Sequence, residues 1–475
     1  MQRFLLFLFL LGLLAPVVGQ QSHRIEVEIS GYDQEILTLA NNILESQYIV
    51  DTAYQNDAGK YVFASDTSAL PAGIYIVVTA PDNNYFQILV GEGDQEFSVS
   101  TSVAALASVA VTGDEENELF HRYLAFLDAQ QEKVAPLREV MNDSLTAPVE
   151  KTALAEDIAA VTAQVNAFQA ELVRQSPGSF TAAIINANRP LPPPEFEELT
   201  DPETRRQAQW NWLQQHYFDN IDLRDERLLR TPFLFQRIEY YVDRLSVQHP
   251  DSISMAIDRV LSGMNPTGEM FKYYVVHFTN KAAQSKIVGM DGVYVHMVDN
   301  YYRAGRAYWS NEEQLLTMSE NVEEIRPLLI GKQAPDIEMK TRAGEDVTLY
   351  GVDAKYTVLY FWSFDCGHCK KSTPYMKEFY AKWKNKGAEI FSICTKQNTL
   401  DQCWEYVDDQ EIGDWMHVTD RYMRFYKDYA IRSTPTIFVL DENKKIVSKR
   451  IGAEQLDDVL TGLEAAAARP EKTGK

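Results

Sequence analysis

The segment Tyr356-Thr-Val-Leu-Tyr-Phe-Trp-Ser-Phe-Asp-Cys-Gly-His-Cys369 decides the fold of the C-terminal part of this chain. Its first part, Tyr356–Phe361, is almost continuously apolar, as expected of a central strand that is buried on both faces. A helix is predicted from about Gly367 to Lys384. The segment therefore predicts a buried strand and a helix, with Cys366 where that helix begins.

The position of Cys366 favours redox chemistry. The N-terminus of a helix presents unpaired backbone N–H groups and the positive end of the helix dipole. Both favour a thiolate over a thiol, and the thiolate is the nucleophile in disulfide exchange. Cys369 lies about one helical turn further along, near enough to attack a mixed disulfide and release the substrate. We therefore expect Cys366 and Cys369 to be the catalytic residues and to form a redox-active disulfide.

A plain structural disulfide and half of a zinc site are the alternative interpretations of this pair. Zinc would normally require a second pair of ligands, and only Cys394, Cys403 and His417 are nearby in the sequence. We expect no metal here. Cys394 is expected to be buried and unreactive, because free cysteine packs as a small hydrophobe. A structural Cys394–Cys403 disulfide stays an open alternative, and neither residue is given a part in the mechanism.

Alternating strands and helices surround the cysteine segment. The further predicted elements are strands at Val347–Tyr350, Glu389–Cys394, Thr436–Leu440 and Lys445–Ile451, and helices at Asp401–Asp409, Arg421–Ala430 and Glu454–Ala467. This order, ending in a hairpin and a helix, gives a mixed sheet that is covered on both faces. We assign residues 328–475 to this α/β domain.

Two prolines extend the cysteine motif. Pro374 lies eight positions after Cys366, inside a helix, where proline normally costs about 3 kcal/mol. Thr434-Pro435 stands just before the penultimate strand. With Phe361-Trp362 and the cysteine pair, these residues resemble thioredoxins, which have a proline at the same helix offset and a cis-proline facing the cysteines. The resemblance implies a thioredoxin fold whose active site is supported by Trp362, Gly367, His368, Thr434 and Pro435.

Within that superfamily the C-terminal region resembles the TlpA/ResA branch of exported thiol–disulfide oxidoreductases. The matching pieces are Gly331-Lys-Gln-Ala-Pro-Asp336, Cys369-Lys-Lys…Pro374-Tyr-Met376 and the helix-containing insert between Cys394 and Asp420. Thioredoxin-like peroxidases would require a Pro-xxx-Thr-xx-Cys loop, whereas Leu359 and Ser363 occupy its proline and threonine positions. We expect as partners exported proteins with disulfides or thiols, and an upstream redox partner.

Two positions depart from the family pattern. Tyr360 stands where thioredoxin has a buried aspartate that manages protons, and Ser372 stands where ResA-like reductases have a glutamate. The general base for Cys369 is therefore unassigned, with His368 or water as candidates. The Gly-His pair between the cysteines resembles protein disulfide isomerases and favours a more oxidising couple. Reduction, isomerisation and oxidation of substrates all stay open.

Residues 20–113 are predicted to form an all-β, sandwich-like domain. Ile25, Val27 and Ile29 alternate with polar neighbours, the signature of a half-buried strand. Turn-forming clusters separate further strand-like runs at Lys60–Ala64, Gly73–Thr79, Tyr85–Gly91 and Glu96–Ser100. Short strands at this spacing are typical of a sandwich or a small barrel.

Residues 114–327 are predicted to form an α-helical domain. Apolar residues recur at intervals of three and four from Leu119, as on one face of a helix. A second helix is predicted over Pro148–Arg174, where the leading proline suits the first turn. The run Pro190–Pro194 is expected to be extended and to link two helical parts. The aromatic residues that follow it are expected mostly in the core.

The two upstream regions resemble the uncharacterised β and helical domains often found before thioredoxin-like domains in exported bacterial proteins. The resembling stretches are Asp51-Thr…Gly59-Lys-Tyr-Val-Phe63, Val111-Thr-Gly113 and His216-Tyr-Phe…Thr231-Pro232. This resemblance implies an architecture rather than an activity. The alternative function is therefore a partner-binding or scaffold protein that uses the upstream domains and has only a secondary redox role.

Residues 1–19 have the plan of a cleaved signal peptide. Arg3 precedes the apolar run Phe4–Leu14, and small residues lead to Gly19. The apolar core is shorter than the roughly 20 residues that span a bilayer, and no later run is long enough. We expect an exported, periplasmic protein without a stable membrane span.

Composition narrows the function further. The net charge of -23 and the pI of about 4.8 disfavour nucleic acid, since such a partner requires positive charge at its phosphates. The four cysteines all lie in the last quarter of the chain, whereas a disulfide-stapled scaffold would spread them. We expect no cofactor.

Overall fold

The structure, a computed structural model, describes residues 22–189 and 191–468. The predicted signal peptide and Pro190 lie outside these residues. The chain divides into two compact units, Met1–Tyr241 and Val242–Lys475. The predicted domain limits after residues 113 and 327 fall inside these units and stay predictions.

The first unit contains two four-stranded sheets. Their strands are β1 (His23–Ser30), β2 (Ile36–Ile43), β3 (Ser46–Tyr54), β4 (Tyr61–Ser65), β5 (Gly73–Thr79), β6 (Asn84–Val90), β7 (Glu96–Ser102) and β8 (Ala110–Thr112). The strand orders are β4-β1-β7-β8 and β3-β2-β5-β6. β1 and β7 are parallel, and the other pairs are antiparallel.

Alternating burial explains why these strands form a sandwich. Ile25, Val27 and Ile29 are buried, and apolar residues of both sheets meet in one core. The predicted all-β, sandwich-like class is thereby confirmed. The sequence pattern missed β2, because the buried Asn41 and Asn42 interrupt its apolar run. It also missed β3, an edge strand that is exposed along most of its length.

Helices fill the rest of the first unit. They are α1 (Glu115–Asn142), α2 (Pro148–Gln175), α3 (Phe180–Asn188), α4 (Pro202–His216) and α5 (Leu234–Asp243), which crosses the unit boundary. The Asp114 carboxylate caps α1 by accepting from two backbone N–H groups, and Pro148 occupies the first turn of α2. The predicted face from Leu119 packs against Leu172 and Ile185. Residues 191–196 form neither helix nor strand.

The second unit begins with four more helices. They are α6 (Pro250–Ser262), α7 (Glu269–Gln284), α8 (Asp291–Met297) and α9 (Glu312–Ile325). Of the aromatic residues expected in the core, Tyr274, Tyr301 and Tyr302 are buried, whereas Tyr240, in the first unit, is exposed. Within residues 22–189 and 191–468, no helix combines the length and the apolar character needed to span a membrane.

The second unit ends in a seven-stranded sheet with the order β10-β9-β13-β12-β11-β14-β15. Its strands are β9 (Glu338–Thr341), β10 (Asp346–Thr348), β11 (Tyr356–Trp362), β12 (Ala388–Cys394), β13 (Met416–Thr419), β14 (Thr436–Leu440) and β15 (Ile446–Lys449). The accompanying helices are α10 (Gly367–Trp383), α11 (Leu400–Asp409), α12 (Phe425–Asp428) and α13 (Leu456–Ala467).

β11 lies inside this sheet, parallel to β12 and antiparallel to β14. All of its residues are buried. Tyr360 and Trp362 face one apolar cluster, whereas Leu359 and Phe361 face the other. The predicted buried strand and the mixed α/β sheet of a thioredoxin fold are both confirmed.

The predicted helix over Arg421–Ala430 is wrong for most of its length, since only Phe425–Asp428 is helical. The Asp420 carboxylate accepts hydrogen bonds from the backbone N–H groups of Tyr422 and Arg424. Met423 has a φ of 51°, in the left-handed region. These local hydrogen bonds to Asp420 stabilise a turn in place of a helix.

Candidate active site

Cys366 is the N-cap residue of α10, directly after the turn that leaves β11. Its Sγ accepts a hydrogen bond from the backbone N–H of Cys369 at 3.3 Å. As a thiol it also donates to the carbonyl oxygen of Thr434 at 3.3 Å. The sulfur is partly exposed, whereas Cys369 is fully buried. One sulfur of the pair therefore meets solvent while the other faces the core.

The two thiols have opposite pKa shifts. Burial alone would raise the pKa of Cys366, but hydrogen bonds from the side chain and backbone of Cys369 and from the side chain of Thr434 bring it below its ordinary value. The backbone N–H of His368 acts in the same direction. Burial, and then the hydrogen bond to Cys366, raise the pKa of Cys369 to about 12. Cys366 is thus the thiol that ionises first.

Alkylation of the reduced protein will distinguish the two thiols by the pH at which each reacts. Because a lowered pKa enlarges the thiolate fraction at a given pH, Cys366 will react with iodoacetamide below the pH that an ordinary cysteine requires. Cys369 will stay unmodified until the pH approaches about 12. Peptide mass spectrometry over a pH series measures both reactions, with denatured protein as the control in which the difference disappears. Equal modification of both residues in folded protein would contradict the assignment.

Thr434 reaches Cys366 through the pairing of β14 with β11. Thr436 lies opposite Phe361 in antiparallel register, so the residues before Thr436 extend beyond the end of β11 to the start of α10. The Thr434–Pro435 peptide bond is cis. The predicted cis-proline therefore lies beside the cysteine pair, as the resemblance to thioredoxins implied.

The other expected support residues differ in burial. Trp362 is buried in the same apolar cluster as Cys369, and its indole N–H donates to the Ser392 hydroxyl at 2.8 Å. Gly367 and His368 are exposed in the first turn of α10. The ideal Cβ position of Gly367 has no neighbouring atom within 4 Å, so the surface there is open. The His368 group that acts on Cys366 is the backbone N–H.

An ion pair beside Cys366 was missed by the sequence reasoning. The Lys396 ammonium lies 2.9 Å from the carboxylate of Asp365, and the Ser363 hydroxyl also hydrogen-bonds to that carboxylate. A negative charge on Cys366 contributes to raising the pKa of Lys396. Trp362 is paired with Cys394 in parallel register, which brings the residues after each strand together. Only the pairing register of β11 with β12 could have predicted this ion pair, and that register is known only from the folded sheet.

Cys394 and Cys403 form a disulfide with a Cα–Cα distance of 6.4 Å. The free thiol expected for Cys394 is therefore wrong, although its expected burial is confirmed, and the disulfide that the sequence left open is present. The bond joins the end of β12 to α11, and both residues are buried. The imidazole of His417 is hydrogen-bonded to the Ile412 carbonyl at 2.7 Å. Across residues 22–189 and 191–468, no group of three or more His, Cys, Asp or Glu could hold a metal ion.

A thioredoxin fold that carries a partly exposed and a buried cysteine at the start of one helix defines a thiol–disulfide oxidoreductase. Residues 330–449 match the AhpC/TSA family, and residues 169–326 match a domain of unknown function (DUF5106). The thiol-disulfide oxidoreductase ResA of Bacillus cereus is 31% identical over 133 residues, which are 28% of this chain and 75% of that relative. The chain belongs to the ResA family of thiol–disulfide oxidoreductases.

Solved structures also resemble parts of the chain. A domain of a possible thiol-disulfide isomerase from Cytophaga hutchinsonii is 38% identical and covers 30% of this chain and 97% of its own, with a TM-score of 0.28. A thioredoxin-like protein from Bacteroides caccae is 17% identical and covers 57% of this chain and 98% of its own, with a TM-score of 0.42. The family assignment rests on the ResA relative.

Proposed function

We propose that this protein is exported and exchanges the thiols of Cys366 and Cys369 with disulfides of other exported proteins. One observation carries the proposal. The partly exposed Cys366 thiol has a lowered pKa at the start of α10, and the buried Cys369 lies one helical turn away. This arrangement gives one sulfur for attack and a second, protected sulfur for release.

The exchange has two steps. The Cys366 thiolate attacks one sulfur of a substrate disulfide, and the other substrate sulfur leaves as a thiolate that takes a proton from water. Cys369 then loses its proton and attacks Cys366 Sγ, which forms the Cys366–Cys369 disulfide and releases the second substrate thiolate. The substrate gains two electrons and the cysteine pair loses them. A dithiol partner upstream must then reduce the pair again.

Neighbouring residues support the first step in this proposal. The Thr434 side chain helps to lower the pKa of Cys366, and the Thr434 carbonyl oxygen accepts a hydrogen bond from the Cys366 thiol. The buried Trp362 belongs to the apolar cluster against which Cys366 packs, and the exposed Gly367 and His368 leave the surface open to a polypeptide. The Lys396 ammonium offsets negative charge near Cys366. Each role is electrostatic or steric, so electrons pass only between sulfur atoms.

Export and the periplasmic location follow from residues 1–19, whose sequence has the order of a secretory signal peptide. An oxidising compartment contains proteins with disulfides, which are the substrates that this reaction requires. The proposed partners are therefore exported proteins with disulfides or thiols and one upstream dithiol protein.

A Cys369→Ala variant tests the proposal. Without the releasing sulfur, the mixed disulfide between Cys366 and its substrate will accumulate. Exported proteins will then co-migrate with the variant on non-reducing gels, separate on reduction and be identified by mass spectrometry. The matched control is the Cys366→Ser, Cys369→Ala double variant, which will capture none. Equal capture by both variants would refute the proposed exchange.

A further inference from the structure

Tyr360 carries a buried hydroxyl group whose hydrogen bond is unaccounted for. The side chain is 1% exposed on β11. Its hydroxyl forms no hydrogen bond of normal geometry with the residues that the structure describes. An unpaired buried donor normally costs about 1–3 kcal/mol. Such a group in a native core requires an explanation.

Tyr360 and Cys369 pack in the same buried cluster of side chains. A negative charge on Cys369 is, after burial, the largest cause of the raised pKa of Tyr360. The two groups are therefore close enough for the charge of one to act on the other. At this position of β11 the chain therefore presents the hydroxyl group of Tyr360 and not a carboxylate.

Two neighbouring hydroxyl groups are already paired. The Thr373 hydroxyl donates to the Cys369 carbonyl oxygen at 3.0 Å and lies 2.9 Å from the Tyr406 hydroxyl. Because the single hydrogen of Thr373 is used in the first bond, Tyr406 is the donor in the second. A side-chain contact between Thr373 and Tyr360 opposes the pKa shift of Tyr360, but it does not have the geometry of a hydrogen bond. Tyr360 thus retains an O–H that can be donated.

We propose that the Tyr360 hydroxyl donates a hydrogen bond to Cys369 Sγ whenever that sulfur becomes negatively charged. This inference rests on the proposed function and assigns the group that assists the second step. Cys369 must lose its proton before it attacks Cys366, and the buried thiolate has little water around it. A donor that waits unpaired in the thiol state and pairs in the thiolate state stabilises only the reacting form.

The step balances without proton transfer to Tyr360. The proton of Cys369 goes to water, the electron pair left on Sγ forms the bond to Cys366 Sγ, and the bond from Cys366 to the substrate breaks. Tyr360 keeps its own proton, since burial raises its pKa far above the ordinary tyrosine value. When an upstream dithiol later reduces the pair, Cys369 leaves as a thiolate and meets the same donor.

Single-turnover kinetics of a Tyr360→Phe variant in the full chain test this role. With a chromogenic nitrobenzoate disulfide, the first coloured thiolate reports the attack of Cys366 and the second reports its release by Cys369. We expect the first rate to stay unchanged and the second to fall about tenfold, as for the loss of a hydrogen bond to a charged group. In a Cys366→Ser background, adding Tyr360→Phe will move the titration of Cys369, followed by its ultraviolet thiolate absorbance, to a higher pH than in the protein that keeps Tyr360. The titratable groups whose pKa a charge on Cys369 raises are Tyr360 and Tyr406.

The Tyr406→Phe variant is the matched control, because its hydroxyl belongs to the same cluster but is already paired with Thr373. We expect its second rate to change less than about twofold. Thermal unfolding will show whether a slower second step reflects a loss of stability. Tyr360→Phe removes only an unpaired hydroxyl and should not lower the midpoint of thermal unfolding. If the natural protein releases both thiolates and Tyr360→Phe does so at the same rates, this inference is overturned. If the natural protein releases neither, the proposed function itself fails.

Discussion

Replacing Cys366 with serine will abolish disulfide exchange, by more than about a thousandfold, the scale on which removal of a nucleophile acts. The loss follows from the position of Cys366, which alone of the pair is partly exposed and has a lowered pKa. Cys369 cannot take its place, because it is fully buried and its pKa is raised to about 12. The measurement is the rate at which dithiothreitol-reduced protein reduces a small protein disulfide.

The Cys394→Ser, Cys403→Ser double variant is the control for the loss of sulfur atoms in general. These two residues are buried and bonded to each other, so exchange at Cys366 should persist within about threefold, an effect of about 0.7 kcal/mol. A Cys366→Ser protein that kept a tenth of its activity, or a double variant that lost all of it while folded, would show that the reactive sulfur had been misassigned.

Phe361→Ala will strongly destabilise the seven-stranded sheet. Phe361 is fully buried in β11, and its ring lies 5.4 Å from that of Tyr429 and 5.8 Å from that of Phe425, between ring centroids. Removing a buried phenylalanine from such a cluster costs about 3–5 kcal/mol, because the lost contacts leave a cavity. Hydrogen–deuterium exchange of β11 and β14 peptides in the full chain will report this as faster global exchange.

Tyr375→Ala is the matched control, an aromatic truncation on α10 where the side chain is 49% exposed. Away from buried contacts such a change is expected to stay within about 0.5 kcal/mol. Comparable acceleration of exchange in both variants would mean that the Phe361 cluster does not stabilise the sheet. Because exchange is followed peptide by peptide, unfolding elsewhere in the chain does not obscure the comparison.

Local patterns predicted the elements nearest the cysteines well. β11 and α10 lie close to their predicted limits, because a continuous apolar run and a helix start are encoded within a few residues. The short strands β9 and β13 were missed. Each has only four residues, too few to show a period, and each is held by pairing with a strand distant in sequence.

In the active site, too, some residues were predicted from the sequence and others were not. The cysteine pair was found from its spacing, and Pro374 and Thr434-Pro435 from their resemblance to thioredoxins. The Asp365–Lys396 ion pair was not found, because its residues are 31 positions apart and meet only through the parallel register of β11 and β12. Pairing of Cys394 with Cys403 was likewise left open, since it depends on where α11 packs.

The sequence by itself determined that Cys366 begins a helix after a buried strand, and that Cys369 follows one turn later. Both are consequences of local periodicity and capping. Only the tertiary structure decided that Cys366 is partly exposed while Cys369 is buried, that Thr434 lies beside Cys366, and that Tyr360 packs in the same cluster as Cys369. Burial and hydrogen bonds shift the two cysteine pKa values in opposite directions, and both depend on residues that only folding brings together.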